Sequence, residues 1–280
     1  MKVTVRPLSD VMGAEITGID LNEALDEETK AAVNAAFLDH QVICFRRQSF
    51  DVAGFLEAAR QFGKTHPHIY RHLRLEDFPD VSVVSSEDRD VHGTGTTFKR
   101  AEHFHTDESY KEIPSKATLL YSVEVPPSGG ETRFVNMYRA YETLPAETRR
   151  RIDPLQAVQR FLTSNPDIRL AALTEEEKAE VPDVVHPVAR THPETGRRAL
   201  YVNAARTEYV AGMDPQESKA LLQELYDHSL RPEFQYHHHW ERGDLLMWDN
   251  RCTMHAATHN LPPGAKRLLY RTLLDGTRPA

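Results

Sequence analysis

Cysteine is scarce in this chain. Only Cys44 and Cys252 occur among 280 residues, each inside an apolar, strand-like run. Two isolated thiols supply no disulfide framework, so they are expected to be free and buried, and their usage fits a reducing compartment. No run of about 18 apolar residues occurs, which leaves no segment for a membrane-spanning helix. The opening MKVTVRPLSDVMG has no apolar stretch of signal-peptide length. The chain is therefore expected in the cytoplasm, with no membrane partner. A basic excess is absent as well: the formal net charge is −8, and the run Arg149-Arg150-Arg151 reads as a solvated helix face. That balance argues against a nucleic-acid partner. Internal repeats and low-complexity tracts are missing too.

What is present is an ordinary globular composition, 40% hydrophobic and 27% charged, on a chain long enough to bury a sizeable core. Residues 1–280 are read as a single domain. The segments VTVRPL and AEITGIDL alternate like strands, and 41–46, QVICFR, reads as a buried strand. Helices are expected from about Asp26 to His40 and over 51–63, the latter capped by Gly63. The polar stretch from Glu87 to Glu102 is expected to be a mobile surface loop. Further strands are read in 116–126, in the segment after Gly129-Gly130, and in the final forty-odd residues. MYRAYETLPAETRRRI predicts two short helices broken near Pro145. Residues 153–185 read as helices and loops, and 186–203 as a hairpin around PETGR. Asp214-Pro215 begins a helix as cap and first residue. Strands dominate, so the expected fold is mainly β with flanking helices, a β-sandwich or jelly roll.

Histidine is plentiful, with 15 copies, and HFHTDESY (103–110) concentrates three potential ligands at alternate positions. On an extended strand, residues i and i+2 face the same way. His105 and Asp107 could then chelate one ion. With a distant imidazole they would form the facial triad of non-haem iron(II) oxygenases, which leaves three coordination positions open. His103 shares that face and could replace Asp107, giving a set better suited to zinc or copper. The tract YHHHW (236–240) is read instead as a strand face, with His238 pointing away from His237 and His239. Of His255 and His259, THNLPPG argues for a loop, so only one is retained as a ligand candidate.

Taken together, HTD, WDNRCTMHAA and RLLYR resemble the taurine dioxygenase/2,4-dichlorophenoxyacetate dioxygenase family of iron(II)- and 2-oxoglutarate-dependent enzymes. The resemblance runs from MGAEITGIDL to the last strand. It implies a double-stranded β-helix, a kind of jelly roll. It also implies His105, Asp107 and His255 as Fe(II) ligands. The family's Gly-Gly-acidic-Thr segment corresponds to GGET, which puts Thr132 twenty-five residues after Asp107. Its two arginines correspond to Arg267, twelve residues beyond His255, and Arg271, four later. Arg267 and Thr132 are expected to grip the far carboxylate of 2-oxoglutarate, the arginine through a planar bidentate pair. Arg271 would point toward the 1-carboxylate or a substrate anion. Trp248 and Asn250 are expected to brace the site.

The implied reaction consumes dioxygen and 2-oxoglutarate, releases succinate and carbon dioxide, and hydroxylates a small organic anion. A carboxylate at position 107 favours hydroxylation over halogenation. Where the attacked carbon bears a heteroatom, the product collapses and that bond breaks. FGKTHPH resembles the segment that carries a sulfonate-binding histidine, which points to His68, with Tyr70 beside it and Arg271 completing an anion site. After LYVN, the run Ala204-Ala205-Arg206 replaces the bulky residues of many relatives and would either enlarge the pocket or add charge. A homo-oligomer is expected. Two alternatives stay open: a non-catalytic metal-binding jelly roll, and a zinc hydrolase using His103, His105 and His255.

Overall fold

The structure, a computed structural model, describes residues 3–97 and 99–280; Met1, Lys2 and, in the polar loop, Phe98 lie outside the described residues. Its centre is an eight-stranded sheet. The order runs Thr4–Pro7, Ala14–Thr17, Val42–Phe45, Leu245–Asp249, Ala117–Glu124, Leu268–Leu274 and Thr65–His66, and Ser82–Ser85 also pairs with Leu268–Leu274. All these pairings are antiparallel except one. Ala14–Thr17 and Val42–Phe45 run parallel, and such a pair needs a crossover, which helix Glu27–His40 supplies. That helix starts where the Asp26 side chain accepts from the Thr29 amide.

A three-stranded sheet, Gln235–His238, Thr132–Asn136 and Thr253–Ala257, lies against the large one. The pleat explains how one sequence serves both layers, because successive side chains leave opposite faces. Ile43, Phe45, Leu245 and Met247 pack under helices Glu27–His40 and Val52–Arg60. Their neighbours Val42, Cys44, Leu246 and Trp248 face inward and meet Phe134 and Tyr236 of the small sheet and Trp240 just beyond it. Both cysteines are buried and free, as expected. The small sheet turns its other face, through Val135 and Met254, onto helices Met137–Glu142 and Pro215–Ser229. The result is the expected jelly roll with helices outside it.

Four local readings need correction. The second helix ends at Arg60 with Gln61 as cap, because the Gln61 amide bends back onto Ala58 and Ala59; Gly63 lies beyond it. Residues 153–185 contain the strand Gln156–Gln159, which forms a third sheet with Val184–Pro187 and Thr207–Val210. The hairpin pairs only Ala189–Thr191 with Arg198–Leu200, since His186 and Pro187 belong to that third sheet. HFHTDESY is not a full strand: His105 forms a single bridge and a turn begins at Asp107.

Candidate active site

The inward faces of the two sheets converge on one cavity. Leu269 and Arg271 share a pleat face, as do Phe134 and Thr132, and Ala257 and His255. That parity brings Thr132, His255, Ala257 and Arg271 to the cavity wall. His105 and His255 exchange both main-chain hydrogen bonds, at 3.0 and 2.8 Å, although 150 residues separate them. Their rings lie 4.3 Å apart, centroid to centroid. Donor atoms of His105, Asp107 and His255 all fall within 4.8 Å of one another, and all three residues are buried.

The protonation pattern suits a cation. His105 Nδ1 lies 2.9 Å from the His103 carbonyl. A carbonyl only accepts, so Nδ1 carries a proton and Nε2 is the ring nitrogen left facing Asp107. His255 is held as neutral imidazole: burial, then the neighbouring His105, pushes it down to about 3. Burial raises the Asp107 carboxyl, but Arg271, His255 and His105 together outweigh that and hold it well below the usual range. Two imidazoles and one carboxylate on one side form the donor set of a facial triad. His103 is not part of the cluster, so the zinc alternative loses its third histidine.

Both Asp107 oxygens are tied down from outside the cluster. Oδ1 meets Arg271 Nη2 at 2.7 Å. Oδ2 accepts from the Thr118 hydroxyl at 2.7 Å. Thr118 Oγ1 accepts in turn from Asn250 Nδ2 at 2.9 Å, and Asn250 Oδ1 accepts from the Trp248 indole at 3.0 Å. The bracing expected of Trp248 and Asn250 is thus a directed chain of donors ending on the carboxylate.

Beyond the cluster stands Arg267. It is 8% exposed, and no carboxylate comes within ion-pair range among the described residues. Its Nη1 donates to the Gly130 carbonyl at 2.6 Å. Gly130 adopts a left-handed φ of 72°, and a Cβ there would come 2.8 Å from Leu261 Cδ2 and 3.4 Å from Arg267 Cδ. The glycine pair of GGET thus lets the main chain approach the guanidinium. Burial pulls Arg267 down to about 10, still charged at neutral pH. Thr132 Oγ1 accepts from the Trp240 indole at 3.1 Å, which leaves its own proton free to donate.

The remaining wall is richer in cations than the sequence suggested. His68 is buried, and Nδ1 accepts from the Tyr70 amide at 3.3 Å, so Nε2 bears the proton. Burial, followed by Arg271 and Arg100, drives His68 well below the normal imidazole range. It is a neutral N–H donor rather than a cation. Tyr70 lines the cavity with its ring, since its hydroxyl donates to the Ala171 carbonyl at 2.8 Å. Arg100 reaches the same cavity and pairs with Asp88 at 3.2 Å. Ala205 and Arg206 line it too. Thr118, Trp240 and Arg100 escaped the sequence reading. Only Trp240 left a signal, because it follows Tyr236 and His238 at alternate positions.

Comparison with known proteins gives one consistent result. Residues 4–273 match the family described as "Taurine catabolism dioxygenase TauD, TfdA family". The alpha-ketoglutarate-dependent 2,4-dichlorophenoxyacetate dioxygenase of Cupriavidus pinatubonensis is 31% identical, covering 98% of this chain and 99% of that protein. The alpha-ketoglutarate-dependent sulfate ester dioxygenase of Pseudomonas putida is 33% identical, over 100% of this chain and 91% of its own. The crystal structure of a taurine dioxygenase from Burkholderia xenovorans superposes with a TM-score of 0.83 at 34% identity, covering 99% of this chain and 92% of that one.

Proposed function

We propose a metal and a substrate class for this chain on the premise that it belongs to the TauD/TfdA family and is a 2-oxoglutarate-dependent dioxygenase. The metal is Fe(II), held by His105, Asp107 and His255. The substrate is a small organic anion: a carboxylate such as an aryloxyalkanoate, a sulfonate or a sulfate ester. The observation that carries this reading is Arg267, a buried guanidinium with no carboxylate partner on the cavity that holds the His105–Asp107–His255 cluster. An unpaired buried cation is costly and calls for an anion.

Fe(II) and 2-oxoglutarate, when bound, would let dioxygen serve as the oxidant, one oxygen atom entering the substrate C–H bond and the other entering succinate as 2-oxoglutarate loses carbon dioxide. The protein positions and shields. Arg267 and the Thr132 hydroxyl take the far carboxylate of 2-oxoglutarate, and the Gly130 carbonyl keeps the guanidinium aimed. Arg271 and Thr118 cap the two Asp107 oxygens, which keeps the carboxylate ionised and its plane fixed. His68 offers an uncharged N–H to the substrate, and the Tyr70 ring closes the wall beside it. The relatives named above act on a dichlorophenoxyacetate and on sulfate esters, which share an anionic head.

The test is succinate release from ferrous protein and 2-oxoglutarate across sulfonates, alkyl sulfates, aryloxyalkanoates and amino acids. Turnover stimulated by an anion and abolished in Asp107→Ala is expected. A panel in which neutral compounds outperform every anion would reject the substrate class.

A further inference from the structure

Among the described residues, two arginines on the cavity wall are buried without a carboxylate. Arg267 is one; Arg206 is the other. Arg271 and Arg100, by contrast, are already paired with Asp107 and Asp88. Arg206 is 8% exposed. Its guanidinium carbon sits 4.9 Å from the Tyr110 ring centre and 4.8 Å from that of Phe161. Nη1 donates to the Phe161 carbonyl, and Nε is buried with no partner at all. Around it lies an apolar cluster of Ile69, Tyr70, Tyr110 and Phe161.

Aromatic faces hold a cation in place without neutralising it. A neutral carbonyl satisfies one donor of the five that guanidinium carries. Such an arrangement is stable when an ionised ligand arrives, because charge-assisted bonds in a dry site are the strong ones. Arg271 already has its charge offset by Asp107 through Nη2, whereas no carboxylate offsets Arg206 among the described residues. His68 is neutral and can add only a dipole.

We infer that Arg206 is the anchor for the anionic head of the substrate, a carboxylate, sulfate or sulfonate carried on an apolar body. The inference rests on reading this cavity as a dioxygenase site. It moves the head group from the His68–Arg271 pair to a guanidinium set in an aromatic clamp. Ala205, small and on the same wall, leaves room for the body.

The decisive experiment uses full-length protein loaded with Mn(II) and N-oxalylglycine, an unreactive 2-oxoglutarate mimic. Calorimetric titration compares phenoxyacetate with phenoxyacetamide, and hexyl sulfate and hexanesulfonate with hexanol. Wild type is expected to favour at least one anion over its neutral partner by about tenfold or more. Arg206→Gln is expected to bring that ratio to about one while N-oxalylglycine affinity stays unchanged, which also certifies the fold; Arg206→Lys should recover part of the preference. An anion preference that survives Arg206→Gln overturns the inference, and so does a wild type with no anion preference. If N-oxalylglycine fails to bind wild type, the dioxygenase reading falls separately, and the same titrations on unloaded protein still decide Arg206.

Discussion

Thr118 and Asp107 are joined by a hydroxyl-to-carboxylate hydrogen bond of 2.7 Å, the last link of a chain that begins at the Trp248 indole. Every group in that chain has one available direction of donation. The indole can only donate and the ionised carboxylate can only accept, so the amide and hydroxyl between them are oriented without choice.

Thr118→Val keeps the shape and removes the hydroxyl. The expected result is a loss of about 10- to 100-fold in metal affinity, the usual effect of removing a partner that orients a ligand. Thr118→Ser should stay near wild type. Mn(II) titration followed by electron paramagnetic resonance reads this directly, and equal affinity in the valine variant would mean Asp107 is oriented by other means.

Gly130 stands where a side chain is excluded twice over, by its φ of 72° and by Leu261. Gly130→Ala is expected to destabilise the protein by about 1–3 kcal/mol. Because the displaced carbonyl aims Arg267, the apparent affinity for 2-oxoglutarate should fall as well. Chemical denaturation and cosubstrate titration check the two effects, and unchanged values in both would show that the turn tolerates a Cβ.

Arg267→Ala leaves the far carboxylate of 2-oxoglutarate without its cation. Losing one partner of a buried charged pair costs about 2–5 kcal/mol, so the affinity should drop by about 30-fold or more. The weak visible charge-transfer band of ferrous protein with 2-oxoglutarate under nitrogen should vanish at modest cosubstrate concentration and return at high concentration. A band of wild-type strength at low concentration would count against the assignment.

His68 sets a pH dependence whose sign is fixed by its depressed pKa. The unfolded chain takes up the imidazole proton near the ordinary value of about 6.5, while the folded chain does not until well below it. Stability is therefore lost as pH falls from about 7 toward 5, with a limiting slope of about 1.4 kcal/mol per unit. In His68→Asn that component is absent. Urea midpoints of the two proteins should diverge across this window, the wild type losing more; parallel profiles would show that His68 protonates freely in the fold.

The sequence disclosed what depends on period and spacing. The alternate spacing singled out His105 and Asp107, and the family resemblance added the distant His255; the three meet in one cluster. Thr132 after its glycine pair and the two arginines of the last strand were legible too. The unbroken apolar runs in QVICFR and DLLMWD marked strands covered on both faces, as the central strands are. What stayed hidden depends on pairing across layers. Thr118 looks like any strand threonine until register sets it opposite Trp248, and that register is printed nowhere in KATLLYS. Arg100 sits in a loop, where no period says which way a side chain turns. Asp107 reaches the cluster by a route the pleat argument did not supply: the chain leaves the β-bridge at His105 and turns, so a bend rather than a strand directs the carboxylate.

That bend divides the work within the cluster. The main chain sets the two imidazoles side by side, since His105 and His255 hold each other's peptide groups. Asp107 lies in the turn that follows, held by Thr118 and Arg271 rather than by a main-chain bridge. Ions of unequal radius would therefore be accommodated at the carboxylate alone, and discrimination among first-row divalent metals becomes a property of the turn and of the hydroxyl and guanidinium that restrain it.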